Sequence, residues 1–159
     1  MSLELDDTLR LLAATVLGMG LGLTRDLRGK PAGLRTMGLV SLGAAVITLT
    51  ALRLFPEANP DAESRVLQGV IQGVLTGIGF IGAGAVLHDP EETRVRGLTT
   101  AATVWAAAAL GVACGVGAWP IVLAGGAIAF FVIVALRPVE RWIERQAKKD
   151  AKANKTDSL

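Results

Sequence analysis

The chain has 159 residues, of which 52% are hydrophobic and 4% aromatic, and its formal net charge is +2. Its charged residues are gathered into short segments with long uncharged stretches between them, a pattern that disfavours a water-soluble domain. Because a bilayer offers no water to backbone polar groups, these stretches predict an all-α membrane protein. The single cysteine, Cys114, excludes an intrachain disulfide.

The uncharged stretches predict five transmembrane helices within a membrane domain of residues 1–136. They cover about residues 9–24, 36–52, 66–87, 98–116 and 119–136. Each is close to the ~20 residues that ~30 Å of hydrocarbon requires. Only Gly117 and Ala118 separate the last two, which predicts a tight hairpin. The residues before the first stretch are acidic, so no cleavable signal peptide is expected.

Lysines and arginines indicate the orientation, because cytoplasmic segments retain them. The loop 25–35, the loop 88–97 and the tail from residue 137 hold four, two and seven basic residues, thirteen of the sixteen. The other side keeps only Arg10, Arg53 and Arg65. We therefore expect an inner-membrane protein with its N-terminus outside and its C-terminus in the cytoplasm.

The basic tail, residues 137–159, predicts a short amphipathic helix on the cytoplasmic membrane surface. Val139, Trp142 and Ile143 recur at helical spacing opposite charged residues. Trp142 and the lysines would anchor this helix to anionic headgroups of the lipid bilayer. Docking of a cytosolic partner is the alternative interpretation.

A shift of 64 residues aligns several special positions of the sequence. Gly18 and Gly20 fall on Gly82 and Gly84, and the segment Gly33-Leu-Arg-Thr36 falls on Gly97-Leu-Thr-Thr100. The match predicts two helical hairpins of like orientation, related by an axis along the membrane normal, with the fifth helix outside the repeat. Chance matching among the 19 glycines is the alternative.

The third stretch has glycines at every fourth position, which predicts a face for close helix packing. That face would contact another helix of the chain or a second copy in a homo-oligomer. Local unwinding that exposes carbonyl groups, as in transporters, is the alternative. No Asp or Glu lies at the centre of a predicted span, which argues against a proton-driven pump. The candidates for helix packing or a pore are Gly69, Gln72, Gly73, Gly77, Gly79, Gly82, Gly84 and Trp105.

The two basic loops predict a cytoplasmic recognition surface. In the first loop, glycines and a proline shape the chain beside cations, an arrangement that suits a phosphate or a lipid headgroup. The repeat places the second loop at the corresponding position. The candidate residues are Arg28, Gly29, Lys30, Pro31, Gly33, Arg35, Thr36, Arg94, Arg96, Gly97, Thr99 and Thr100.

One acidic segment has side chains that could bind a divalent cation such as Mg²⁺: His88, Asp89, Glu91 and Glu92. A simply solvated loop is the alternative interpretation. The sequence has no nucleophile–base–orienter set and no nucleotide-binding fingerprint, and its cations lack aromatic neighbours for stacking on bases. We therefore expect no enzymatic activity, no cofactor and no nucleic-acid partner.

Three motifs resemble the MgtC/SapB family of bacterial inner-membrane proteins. They are Arg28-Gly-Lys-Pro-Ala-Gly-Leu-Arg-Thr36, Gly77-Ile-Gly-Phe-Ile-Gly-Ala-Gly84 and Val95-Arg-Gly-Leu-Thr-Thr-Ala-Ala-Thr-Val-Trp105. The resemblance implies about five membrane helices. It also implies a link to growth at low magnesium, to virulence through survival inside macrophages, and to restraint of the F-type ATP synthase, which becomes a candidate partner.

The chain departs from that family at three positions. Thr24, Met37 and Thr99 stand where the family often has Glu, His and Asn, which argues against proton- or cation-coupled chemistry there. The cytosolic C-terminal domain of longer members is also not found in this sequence.

Taken with the resemblance, these features predict a non-enzymatic membrane protein that acts by binding. It would regulate another membrane complex and ion (Mg²⁺) homeostasis, with a link to virulence or stress survival. A transporter or channel for Mg²⁺ or a small solute is the first alternative. A lipid-binding or scaffolding homo-oligomer is the second.

Overall fold

The computed structural model describes residues 4–27, 29–30, 32–54, 60–88, 95–136 and 146, and all their side chains except those of residues 60, 63, 87, 88, 95 and 96. Five helices follow in chain order: α1 (Leu5–Asp26), α2 (Leu34–Leu54), α3 (Pro60–Ala85), α4 (Leu98–Val116) and α5 (Trp119–Ala135). Two short strands, β1 (Leu87–His88) and β2 (Val95–Arg96), pair antiparallel between α3 and α4. The predicted all-α membrane fold is confirmed.

The third helix ends before the uncharged stretch does. The stretch extends to Leu87, but α3 ends at Ala85 and Leu87 pairs with Arg96 in the β-ladder. Gly97 has a φ of 97° and lies so close to α3 that a Cβ there would overlap the Ala85 carbonyl oxygen. This contact joins the end of α3 to the start of α4. Apart from the helical Gln146, the tail for which an amphipathic helix is predicted lies outside the described residues.

Within the described residues, three helical segments are long and apolar enough to cross a membrane: Leu34–Leu54, Ser64–Ala85 and Leu98–Val116. Helix α5 is apolar but shorter. Helix α1 carries its acidic and basic residues at its two ends. The uncharged residues 11–24 between them cover about 21 Å at a helical rise of 1.5 Å per residue.

Helices α1, α2 and α4 pack together and form the core, and α3 and α5 lie outside them. Met37 of α2 and Val104, Ala107 and Ala108 of α4 are fully buried there. Glycine allows the close approach of α2 and α4, since a Cβ at Gly111 would overlap the carbonyl oxygen of Ser41. In lipid, helices associate through such close contact.

The contacts of the two hairpins agree with the predicted repeat. A Cβ at Gly18 of α1 would overlap the Met37 carbonyl oxygen on α2, and a Cβ at Gly82 of α3 would lie 3.5 Å from the Ala101 Cβ on α4. These two pairs are related by the shift of 64 residues. The hairpin α1–α2 is therefore equivalent to α3–α4, and the interface between α1 and α4 is equivalent to that between α2 and α3.

Candidate functional site

The turn between α1 and α2 is held by a carboxylate at the end of α1. Asp26 Oδ2 accepts a hydrogen bond of 2.8 Å from the backbone N–H of Leu34, the first residue of α2. A free N–H group at a helix start needs such an acceptor. Gly33 leaves room for this contact, because a Cβ there would overlap the Asp26 carboxylate and displace it. Gly29, with a φ of 59°, continues this turn.

A buried arginine connects the two predicted loops. Arg25 lies at the end of α1 with only 3% of its surface exposed, and its guanidinium donates a hydrogen bond to Thr100 Oγ1. Thr100, also 3% exposed, lies in the first turn of α4. The contact brings the α1–α2 turn beside the start of α4, as the repeat predicts.

Arg25 was not among the predicted site residues, although it belongs to the first basic loop, whose other cations were. A signal for its burial exists in the sequence. Gly18, Leu21, Gly22 and Arg25 recur at helical spacing, and all four are buried on the same face of α1. The buried face of α1 therefore continues to Arg25, the first residue after the uncharged stretch.

Around this contact, several predicted residues stay exposed at the same end of the protein. We call them the loop surface: Gly29, Lys30, Arg35, Thr36 and Thr99. Arg28, Pro31 and Arg94 of the same prediction lie outside the described residues, and the Arg96 side chain is not described. In contrast to Thr99, the neighbouring Thr100 faces the protein interior.

The opposite end of the bundle is joined by ion pairs that the sequence did not single out. Arg53 of α2 lies 2.6 Å from Asp7 and 3.4 Å from Glu4. Arg10 of α1 pairs with Asp6 at 2.6 Å and also donates to the carbonyl oxygens of Gly115 and Val116, at 3.2 Å each. A cation at the C-terminus of α4 is favourable, because the free carbonyls there carry partial negative charge. These contacts join α1, α2 and α4.

The ion pair between Asp7 and Arg53 predicts that the stability of the folded protein depends on pH. The hydrogen bond from Arg53 lowers the pKa of Asp7 below its ordinary value of 3.8. The ionised carboxylate therefore stabilises the folded state above pH 3.8, and this stabilisation is lost as the pH falls through the lower, folded-state pKa. Thermal unfolding in detergent should show Asp7→Asn less stable than the unaltered protein at pH 7, with the gap closing toward pH 3. An equal gap at both pH values would contradict this.

The glycines of α3 have different surroundings from those of the core. A Cβ at Gly69, Gly73 or Gly77 would meet nothing within 4 Å. Gly79 and Gly84 are equally open, whereas Gly82 faces Ala101. Gln72 is exposed, and Trp105 of α4 is 49% exposed. Helix α3 is continuous through all six glycines, so the unwinding considered from the sequence is not observed.

An open groove of ≈ 950 Å³ runs between α2 and α3. Its α2 wall runs from Arg35 and Thr36 to Ile47, and its α3 wall runs from Val66 to Ile81. Gly69, Gly73 and Gly77 line it, together with Gly43 of α2 and aliphatic side chains. The predicted packing face of α3 therefore borders a cleft in the single chain.

The acidic segment with the candidate cation ligands lies largely outside the described residues. His88 lies in β1 and its side chain is not described, and Asp89, Glu91 and Glu92 fall in the gap before β2. Among the residues that the structure does describe, no three His, Cys, Asp or Glu side chains come together as metal ligands.

Comparison with known proteins identifies the family. The model of the MgtC family matches residues 11–142. Protein SrpB of Synechococcus elongatus is 39% identical over 138 residues, covering 83% of this chain and 74% of SrpB. Protein MgtC of Salmonella typhimurium is 39% identical over 137 residues, covering 86% of this chain and 55% of its own length. An uncharacterized protein of Haemophilus influenzae is 33% identical over 145 residues, covering 88% of this chain and 59% of its own.

The chain thus spans a little over half the length of the last two relatives. No solved structure matches it significantly. The family model covers both basic loops, most of α1 and all of α2 to α5, and the three motifs that carry the resemblance lie within its match. The chain is a membrane protein that belongs to the MgtC family.

Proposed function

We propose that this protein acts by binding and without enzymatic activity, as a regulator of another membrane complex and of Mg²⁺ homeostasis. The observation that supports the proposal is the contact between Arg25 and Thr100. It places two loops that are far apart in the sequence at one end of the bundle, where Lys30, Arg35 and Thr99 remain exposed.

The chemistry of the loop surface suits recognition of an acidic partner. Lys30 and Arg35 are exposed cations, and the hydroxyl groups of Thr36 and Thr99 add hydrogen-bonding groups. Exposed charges of one sign speed the encounter with a complementary surface. Two hydrogen bonds hold the turn that carries them: one from Leu34 N–H to the Asp26 carboxylate and one from Lys30 N–H to the Arg25 carbonyl oxygen. Few additional residues would therefore need to become ordered on binding.

The orientation that accompanies this proposal has the N-terminus outside and the loop surface in the cytoplasm of a bacterial inner membrane. The support is the distribution of lysines and arginines. In a Cys114→Ala background, a membrane-impermeant thiol reagent should label Leu5→Cys in intact spheroplasts and should label Lys30→Cys only in inverted vesicles. The reverse result would overturn the orientation.

The partner that the family resemblance suggests is the F-type ATP synthase. If the loop surface recognises it, the tagged full chain should retain the enzyme on purification from its own membranes and lower ATP hydrolysis by inverted vesicles. Lys30→Glu should weaken both effects about tenfold, because it places a like charge against an acidic partner. Gly79→Leu, on an open face of α3, is the matched control and should leave both unchanged.

Two results would count against the proposal. Equal retention of the ATP synthase by the Lys30→Glu variant would remove the loop surface as the binding site. Uptake of Mg²⁺ by liposomes that contain only the purified protein would favour the transporter alternative over a regulator.

A further inference from the structure

We propose that the groove between α2 and α3 binds one anionic phospholipid, with its phosphate at Arg35 and Thr36 and its acyl chains against the glycines of α3. This inference concerns a site within the bilayer and does not depend on the proposed partner of the loop surface. The two sites share Arg35 and Thr36, but they can fail separately, because Gly73 belongs only to the groove and Lys30 only to the loop surface.

Under the repeat, the groove between α2 and α3 corresponds to the interface between α1 and α4, which α5 covers. Helix α5 packs on both α1 and α4. Under the shift of 64 residues, the equivalent pair of helices is α3 and α2, and among the described residues no helix lies over that pair. In a membrane, a cleft that no helix covers is open to the acyl chains of the surrounding lipid.

The groove is shorter than the full thickness of the hydrocarbon core. At 1.5 Å per residue it covers about 18 Å along α2, from Arg35 to Ile47, and about 22 Å along α3, from Val66 to Ile81. One leaflet provides about half of the ~30 Å of hydrocarbon. A second transmembrane helix would need a contact surface through both leaflets, whereas an acyl chain extends through one.

The charges at the groove indicate which kind of lipid it holds. Its walls are aliphatic and glycine-lined except at one end, where Arg35 and Thr36 contribute a guanidinium and a hydroxyl group. A planar guanidinium can bind two phosphate oxygens at once. Within the described part of the chain, neither side chain makes a hydrogen bond or an ion pair of its own, and Asp26 is not among the residues that line the groove. This end of the groove therefore carries a positive charge that complements an anionic headgroup.

The glycines determine how closely a chain of methylene groups can lie against α3. With no Cβ at Gly69, Gly73 or Gly77, the backbone of α3 forms the surface of the groove. A Cβ at Gly73 would meet nothing within 4 Å, so a leucine there would extend into the space that the acyl chain is proposed to occupy. It should therefore remove the lipid site and leave the fold intact.

The test measures binding of phosphatidylglycerol to the delipidated full chain in neutral detergent, by native mass spectrometry over a lipid titration. Arg35→Gln and Gly73→Leu should each weaken binding of the first lipid about tenfold, the loss expected for a charge-assisted bidentate contact or a filled groove. Arg65→Gln, at the far end of α3, and Gly79→Leu, on another face, are the matched controls and should stay within about twofold. Phosphatidylcholine should bind the unaltered protein less tightly.

Circular dichroism and gel filtration of each variant report whether the fold is intact. Equal lipid binding by all four variants would overturn the proposal. So would a change in the number of copies per particle on Gly73→Leu with unchanged lipid binding, because the groove would then be an interface with a second copy. A third measurement is the labelling of Gly73→Cys by a thiol reagent. If a partner's transmembrane helix protects this cysteine and phosphatidylglycerol does not, the groove binds a helix and the lipid proposal is wrong.

Discussion

Gly111→Ala is expected to lower the free energy of unfolding by about 1–3 kcal/mol, the cost of overpacking a filled core. The added Cβ would overlap the carbonyl oxygen of Ser41 and lie 3.0 Å from the Ala44 Cβ. The oxygen belongs to the backbone of α2, so it cannot rotate away as a side chain can. Helices α2 and α4 must separate to admit the methyl group, which weakens the central interface of the bundle.

Unfolding in mixed detergent, followed by circular dichroism, measures this loss. Gly73→Ala is the matched control, because it makes the same chemical change in a membrane helix where the new Cβ meets nothing within 4 Å. That variant should be as stable as the unaltered protein or more stable by up to about 1 kcal/mol, since alanine favours helix over glycine. If both variants lost the same stability, the close packing of α2 and α4 would not be the cause.

Thr100→Val is expected to cost about 1.5–3 kcal/mol, the range for a hydrogen bond to a charged group. The substitution preserves the shape of the side chain but removes the oxygen that accepts the bond from Arg25. Because Arg25 is only 3% exposed, water cannot readily replace that acceptor. Arg35→Gln, which changes an exposed arginine at the same end, should alter stability by about 0.5 kcal/mol or less.

A double-mutant cycle distinguishes this contact from general loss of packing. Arg25→Met and Thr100→Val are measured singly and together by the same unfolding assay. We expect the double variant to be more stable than the sum of the two losses predicts, with a coupling of about 1 kcal/mol or more. Additive losses would show that Arg25 and Thr100 act independently.

The positions of the helices were predictable because they depend on charge and hydropathy along the chain. The repeat also predicted the hairpins, but it did not show which helix faces are covered. Gly69, Gly73 and Gly77 repeat every four residues, and so do Gly111 and Gly115. Yet the first set borders an open groove and the second lies against α2. A spacing of four shows that a helix has a smooth face, but only the neighbouring backbone determines whether that face is covered.

In the loops, the sequence predicted where the two turns lie but not which of their side chains are buried. The repeat of Gly33 and Gly97 correctly predicted that the two turns lie at one end. It did not distinguish buried Arg25 from exposed Arg35, because both are arginines at the border of an uncharged stretch. Arg25 is buried at a contact with Thr100, which is 75 residues away in the sequence.

The contact between Arg10 and the end of α4 has a consequence for biogenesis. The carbonyl oxygens of Gly115 and Val116 lie 105 and 106 residues beyond Arg10 in the sequence. At a synthesis rate of about 5–20 residues per second, the ribosome adds them on the order of 5–20 s after Arg10. During that time Asp6, one helical turn before Arg10, can already pair with it. The first helix can therefore enter the translocon with the charge of Arg10 partly neutralised by Asp6. When α4 is inserted later, its terminal carbonyl oxygens replace water as hydrogen-bond acceptors for Arg10.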